Sequence, residues 1–120
     1  LRYMSALDMT RVEAHEHALT RLMLEGISSI EGITVLGPDT AAGRIGVVAF
    51  AVDGVHPHDV GQFMDSVDVA VRVGHHCAIP LHSFFQVRSS ARASVAPTTT
   101  PEEIERLVDG LSKVRAFFGR

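Results

Sequence analysis

The sequence contains few residues of several types, and each shortage excludes a structural feature or a kind of chemistry. Its 120 residues contain one cysteine, which excludes an internal disulfide and indicates either a reducing compartment or a thiol kept free for chemistry. Lysine and arginine together number 11, and only one of them is a lysine, Lys113. Any chemistry that needs an amine nucleophile from this chain therefore has a single candidate.

Long apolar runs and an excess of basic charge are also missing. No stretch approaches the roughly 20 apolar residues that a membrane-spanning helix needs, so we expect no membrane partner. The 11 basic and 14 acidic residues give a formal charge of -3 without a basic stripe, and nucleic acid is not an expected partner. The first residues lack the basic-then-apolar order of a secretory signal, which favours the cytoplasm.

What is present suffices for one folded unit of α+β type. Hydrophobic residues make up 46% of the chain, enough to offset the entropy of ordering it and to exclude disorder. Periodicity predicts the order helix, strand, strand, helix, strand, strand, helix. The predicted helices cover residues 10–30, about 57–67 and 101–118, and the predicted strands cover 33–36, 45–52, 69–73 and 91–96. We expect a small, mostly antiparallel sheet of about four strands covered by helices.

Two local features refine this prediction. Thr10, with Glu13 three residues later, is typical of a capping box that begins the first helix. The segment 45–52 is apolar at nearly every position, which is typical of a strand covered on both faces.

Cys77 is the first candidate for chemistry. A glycine and two histidines precede it, and Arg72 lies five residues before it. Pro80 could open a helix just after it, and positive groups and a helix N-terminus both favour thiolate over thiol. Two interpretations stay open, a reactive thiolate and a buried structural cysteine.

The histidines and two arginines are the other candidates. Five side chains could form a mixed nitrogen and sulfur zinc site: His56, His58, His75, His76 and Cys77. Their spacing matches no zinc-finger pattern, so our prediction is no intrinsic metal site, with a metal-binding module as an alternative. His15 and His17 are expected to be a solvated surface pair.

Arg92 stands among small residues in the stretch Ala91-Arg92-Ala93-Ser94. Its planar guanidinium suits bidentate capture of a carboxylate. The alternative is a strand residue that faces water, and Arg72 has the same two interpretations.

Residues 69–82, VAVRVGHHCAIPLH, resemble the active-cysteine loop of the SUF-type (group II) cysteine desulfurases. These are pyridoxal-phosphate (PLP) enzymes of the class-V aminotransferase family. The resemblance continues in register through GVHPHDVGQFMD before the loop and ARASVAPTTTPEEIERLVDGL after it, with YMSALDM and AHEH upstream. It covers nearly the whole chain and is most marked for actinobacterial members.

The resemblance implies a role for each matching residue. Cys77 would take sulfur from L-cysteine to form a persulfide, leaving L-alanine, and the sulfur would pass to iron–sulfur cluster assembly. Arg92 would hold the carboxylate of the substrate cysteine, and Arg72 would line the mouth of the same pocket. His58 matches the histidine that contacts the zinc of U-type sulfur acceptors when these dock.

The resemblance also implies what the chain lacks. Family members have a large N-terminal domain that binds PLP and provides the Schiff-base lysine, and Lys113 lies far from any motif. Residues 1–30 would then be a long helix linking from that absent domain, and residues 31–120 the small C-terminal domain of a fold-type I PLP enzyme. The full-length enzyme would be a homodimer, and the isolated chain inactive.

One departure from the family and one further alternative remain. Pro97-Thr98-Thr99 stands where family members have a Tyr-Asn pair, so contacts made through that pair have no counterpart residue here. Besides the desulfurase and the metal-binding module, the chain could be a sulfur-carrier or docking module without turnover of its own.

Overall fold

A computed structural model of the chain describes residue 6 and residues 8–37, 46–74, 90–96 and 98–119. Within these residues the elements are α1 (Met9–Ser28), β1 (Ile33–Leu36), β2 (Val47–Val52), α2 (Pro57–Ser66), β3 (Arg72–Gly74), β4 (Ser90–Ser94) and α3 (Pro101–Phe117). The predicted order of helices and strands and the α+β class are confirmed.

Helix α1 begins at an aspartate cap. The Oδ1 of Asp8 accepts hydrogen bonds from the backbone N–H groups of Thr10, at 3.0 Å, and Arg11, at 3.4 Å. The prediction of Thr10 as the cap is wrong, because a carboxylate two residues earlier satisfies the free N–H groups and suits the positive end of the helix dipole. The helix buries one stripe, formed by Leu19, Thr20, Met23, Leu24 and Ile27.

The four strands form one antiparallel sheet in the order β1-β2-β4-β3. Strand β3 is shorter than predicted and starts at Arg72 instead of residue 69. Asp68 adopts a left-handed backbone with φ 61°, and the N–H of Val69 bonds back to the carbonyl of Met64 at 2.9 Å. These two features delay entry of the chain into the sheet.

One face of the sheet carries the core. In β2 the side chains of Val48 and Phe50 are fully buried and Val52 is 7% exposed, whereas the alternate residues Val47 and Ala49 are half-buried. Because side chains alternate across a strand, the buried set faces the helices, and the other set lies on the opposite face, called the open face because none of the described helices covers it. The predicted cover of residues 45–52 on both faces is met in part, because one set of β2 side chains is buried and the other is half-buried.

The three helices pack over the covered face and share one core. Buried side chains of α1, α2 and α3 join those of the sheet in a single cluster. Helices α1 and α3 approach closely at Gly26, where an added Cβ would lie 2.5 Å from the Cγ2 of Val108. Thr100 caps α3 by accepting a hydrogen bond from the N–H of Glu103 at 3.3 Å. In the described part of the chain, no helix is both long and apolar enough to cross a bilayer.

The turn between β4 and α3 is tied to α1 by a histidine. The N–H of Ala96 donates to the Oγ1 of Thr99 at 2.8 Å, and the Nε2 of His15 bonds to the carbonyl of Thr99 at 2.8 Å. His15 is therefore not the solvated surface residue that we predicted, although His17 is exposed. Thr99 belongs to the stretch Pro97-Thr98-Thr99, and its hydroxyl satisfies the turn locally.

Candidate functional site

The structure brings the two candidate arginines together. Arg72 of β3 lies directly opposite Arg92 of β4 in the antiparallel register. Opposed residues in such a pair project from the same face with Cβ atoms about 5 Å apart. Ala91 and Ala93, on either side of Arg92, are 2% and 4% exposed and face the core. Both guanidinium groups therefore belong to the open face of the sheet.

The surroundings of Arg92 favour binding of an anion. Its side chain is half-buried, and its Nε is buried without a hydrogen-bond partner. Among the described residues, neither Arg72 nor Arg92 forms an ion pair. An unpaired buried N–H costs about 1–3 kcal/mol, and like charges directly opposite each other are destabilising. A planar carboxylate that accepts hydrogen bonds from both arginines would relieve both costs. The alternative, a strand arginine that faces water, does not explain why the Nε of Arg92 is buried.

The segment that contains Cys77 starts and ends beside this arginine pair. Gly74 closes β3 with φ +122°, a conformation that glycine adopts readily, and it pairs with Ser90 at the start of β4. Cys77 itself lies outside the described residues. Along the chain it follows Arg72 by five positions and Gly74 by three.

His58 lies on the other side of the sheet. It is exposed in the first turn of α2, and an added Cβ at Gly61 of this helix would lie 3.2 Å from Val73 on the covered face. An open cleft of about 330 Å³ lies beside this contact, along α2 and the β3 edge. The cleft is lined by His58, Gly61, Gln62, Asp65, Ala70, Val71 and Val73. The structure thus does not place His58 with Arg72 and Arg92.

Of the five residues of the alternative metal site, the structure describes only His56 and His58. His75, His76 and Cys77 lie outside the described residues. His56 and His58 stack, with ring centroids 5.1 Å apart and an interplanar angle of 11°. Within the described ranges no group of three or more histidine, cysteine, aspartate or glutamate side chains is arranged to hold a metal ion.

The described residues do not fit PLP. A PLP enzyme needs an amine beside the cofactor to form its internal Schiff base. Lys113, the single lysine, is 63% exposed on α3 and forms an ion pair with Asp109 at 2.8 Å. Helix α3 packs on α1 and α2, on the side of the sheet opposite to the arginine pair, so Lys113 is on the wrong side to serve a ligand held there.

Sequence reasoning missed some residues of this region. The side chain of His56 caps α2, and a proline directly after it at the first helical position is the signal for that role. Gln62 and Asp65 line the cleft with His58, at steps of four and three residues that place all three on one side of a helix.

Comparison with known proteins identifies the family. Residues 1–107 match the family model for aminotransferase class-V. The chain is 50% identical over 119 residues to a probable cysteine desulfurase 2 of Mycobacterium leprae, covering 99% of this chain and 28% of the relative. It is 43% identical over 117 residues to a probable cysteine desulfurase of Streptomyces coelicolor, covering 98% of this chain and 28% of the relative.

Solved structures agree with the sequence comparison. The apo cysteine desulfurase from Thermococcus onnurineus matches with a TM-score of 0.89 and 34% identity, over 94% of this chain and 28% of that protein. A cysteine desulfurase from Escherichia coli matches in fold with a TM-score of 0.85 at 24% identity, over 97% of this chain and 28% of that protein. The chain spans 28% of the length of each of these proteins, and it belongs to the aminotransferase class-V family.

Proposed function

We propose that this chain is the C-terminal part of a PLP-dependent cysteine desulfurase that acts in the cytoplasm. The parent enzyme converts L-cysteine to L-alanine and passes the sulfur, as a persulfide, to iron–sulfur cluster assembly of the SUF type. Residues 1–30 link to a large domain that holds PLP, residues 31–120 form the small domain, and the parent is a homodimer. The relatives named as cysteine desulfurases, at 50% and 43% identity, support this proposal.

The observation that carries the proposal is the arginine pair on the open face of the sheet. Arg72 and Arg92 are adjacent across two strands, and the Nε of Arg92 is buried without a partner. In the proposed enzyme Arg92 binds the carboxylate of L-cysteine, and Arg72 adds positive charge at the mouth of the pocket. Each charge-assisted hydrogen bond of this kind contributes about 1.5–3 kcal/mol.

Cys77 is the proposed acceptor of sulfur. The overall transfer converts L-cysteine and the Cys77 thiol into L-alanine and the Cys77 persulfide. The carbon–sulfur bond of the substrate breaks, a sulfur–sulfur bond forms, and the substrate carbon gains a proton, so no external oxidant or reductant is needed. Because the segment with Cys77 begins directly after β3 and returns at β4, this acceptor is tied at both ends to the strands that carry the arginine pair.

His58 is the proposed docking residue for a zinc-containing U-type sulfur acceptor. It is exposed at the start of α2, at the rim of the cleft along β3. It lies on the covered side of the sheet, away from the arginine pair. Substrate binding and acceptor docking are therefore assigned to different sides of the sheet in this proposal.

Steady-state kinetics of the parent enzyme test the substrate-binding role. We expect Arg92→Met to raise the KM for L-cysteine by about 10- to 100-fold, as the loss of a charge-assisted contact of about 1.5–3 kcal/mol requires. Arg72→Met should have a smaller effect in the same direction. Arg21→Met, which removes an exposed arginine of α1, is the matched control and should leave the kinetics unchanged.

Three results would contradict the proposal. An unchanged KM for L-cysteine in Arg92→Met would remove the carboxylate-binding role. Release of sulfide from L-cysteine by the isolated 120-residue chain with added PLP would show that the chain is not dependent on a missing domain. Acceptance of a persulfide in trans by the isolated chain, with no alanine formed by the parent, would favour a sulfur-carrier module instead.

A further inference from the structure

The entry into helix α2 is set by the dipeptide His56-Pro57. Proline at the first helical position fixes its own φ and restricts the preceding residue to extended backbone. His56 has φ −66° and ψ 140°, as an N-cap requires. Its carbonyl accepts hydrogen bonds from the N–H groups of Asp59, at 2.9 Å, and Val60, at 3.1 Å. The backbone of His56 is therefore held firmly at the helix N-terminus.

The side chain of His56 contacts His58 in two ways. Its Nδ1 accepts a hydrogen bond from the backbone N–H of His58 at 3.1 Å. Because that N–H can only donate, Nδ1 must present a lone pair, and the proton of the neutral ring is on Nε2. The two rings also stack, with centroids 5.1 Å apart and nearly parallel planes, within the usual range for aromatic pairs. One side chain thus fixes both the backbone and the ring of His58.

Helix α2 gives this pair a firm base. Val60 and Met64 are 1% and 0% exposed in the core, and Gly61 allows close approach of the helix to Val73 of β3. The N-terminus of α2 is thereby fixed relative to the β3 edge and the cleft beside it. Among the described residues, the ring nitrogens of His58 have no hydrogen-bond partner. The ring is thus oriented by stacking and has both nitrogens free to meet a partner.

We propose that His56 is a positioning residue that pre-orients the His58 ring for docking of the sulfur-acceptor protein. This inference rests on the proposed docking role of His58 and adds a residue to it. Holding a flexible side chain before binding avoids an ordering cost of about 0.5–1.5 kcal/mol, which corresponds to a roughly 2- to 10-fold difference in affinity. His56 increases the affinity for the acceptor without touching it.

The test uses the parent enzyme and a purified, zinc-loaded U-type acceptor, with the dissociation constant as the measurement. His56→Asn keeps a side-chain acceptor for the N–H of residue 58 but has no ring. His56→Phe keeps a ring to stack on His58 but has no acceptor. We expect His56→Ala to weaken acceptor binding about 10-fold and the Asn and Phe variants about 3-fold each. His17→Ala, at an exposed position of α1, is the control and should bind normally.

A second measurement separates ring positioning from helix capping. In NMR spectra the carbon-bound protons of the His58 ring should show a ring-current shift caused by the stacked ring of residue 56. This shift should persist in His56→Phe and be lost in His56→Ala and His56→Asn. Amide hydrogen exchange in the first turn of α2 should instead be protected in His56→Asn and faster in the Ala and Phe variants.

The outcomes separate this inference from the proposal on which it rests. Normal acceptor binding by His58→Ala would remove the docking role itself. Weak binding by His58→Ala together with normal binding by His56→Ala would leave docking in place and overturn the positioning role. Full restoration of affinity by His56→Asn would also overturn it, because capping alone would then account for the effect.

Discussion

Replacement of Arg92 by methionine should stabilise the fold. The substitution keeps an unbranched side chain that can pack on the open face and removes the buried, unpartnered Nε along with the charge opposite Arg72. An unpaired buried N–H costs about 1–3 kcal/mol, and opposed like charges cost about 0.2–1 kcal/mol. Part of this gain is lost because the guanidinium of the half-buried residue is still partly hydrated. We therefore expect the free energy of unfolding of the isolated chain to rise by about 1 kcal/mol and its Tm by about 4 °C.

Denaturant unfolding followed by circular dichroism is the assay for this prediction, with equal m-values required for the comparison. Arg21→Met, at an exposed position of α1, should change stability by less than about 0.5 kcal/mol. Addition of acetate should stabilise the wild-type chain more than Arg92→Met, because a ligand that binds only the folded state raises its stability. A loss of 1 kcal/mol or more in Arg92→Met would refute the reasoning, since the arginine would then be a structural residue.

Three further predictions concern a helix contact, a tertiary hydrogen bond and a helix cap. Gly26→Ala should destabilise the chain by about 1 kcal/mol, because the added Cβ would lie 2.5 Å from Val108. In a Val108→Ala background the same change should stabilise the chain by up to about 1 kcal/mol. A change in stability of the same sign in both backgrounds would contradict the close helix contact. His15→Ala should cost about 1 kcal/mol by loss of the bond to the Thr99 carbonyl, and an unchanged Tm would argue against that bond. Asp8→Ala should cost about 1 kcal/mol in denaturant unfolding, whereas no loss would remove its capping role.

Local signals in the sequence were sufficient to predict the order of elements. The proline and acidic residues after Thr100 predicted the start of α3 because cap, proline and dipole effects all act within one turn. Hydrophobic periodicity indicated the positions of the helices in the same way. These interactions depend on residues close together in the chain, so they can be predicted from the local sequence without tertiary information.

Tertiary contacts account for the errors. The bond from His15 to Thr99 joins residues that are 84 positions apart, and no local pattern encodes it. The late start of β3 results from the left-handed backbone of Asp68, a residue type that tolerates this conformation but does not require it.

For the candidate site, the sequence supplied the residues but not their arrangement. Arg72 and Arg92 were both candidates, yet their opposition depends on the register between β3 and β4. The separation of His58 from this pair depends on which face of the sheet α2 covers. The resemblance to cysteine desulfurases suggested roles for all three residues, and the structure shows that two of them are neighbours.

The most direct test of the account is the mass of the Cys77-containing peptide after the parent enzyme has reacted with L-cysteine. We predict a gain of one sulfur atom on that peptide, matched by formation of L-alanine. Cys77→Ser should abolish the gain, and Arg92→Met should reduce it at low L-cysteine concentration. Alanine formation without any sulfur on the peptide, or equal sulfur loading in Arg92→Met at every substrate concentration, would contradict the assigned roles.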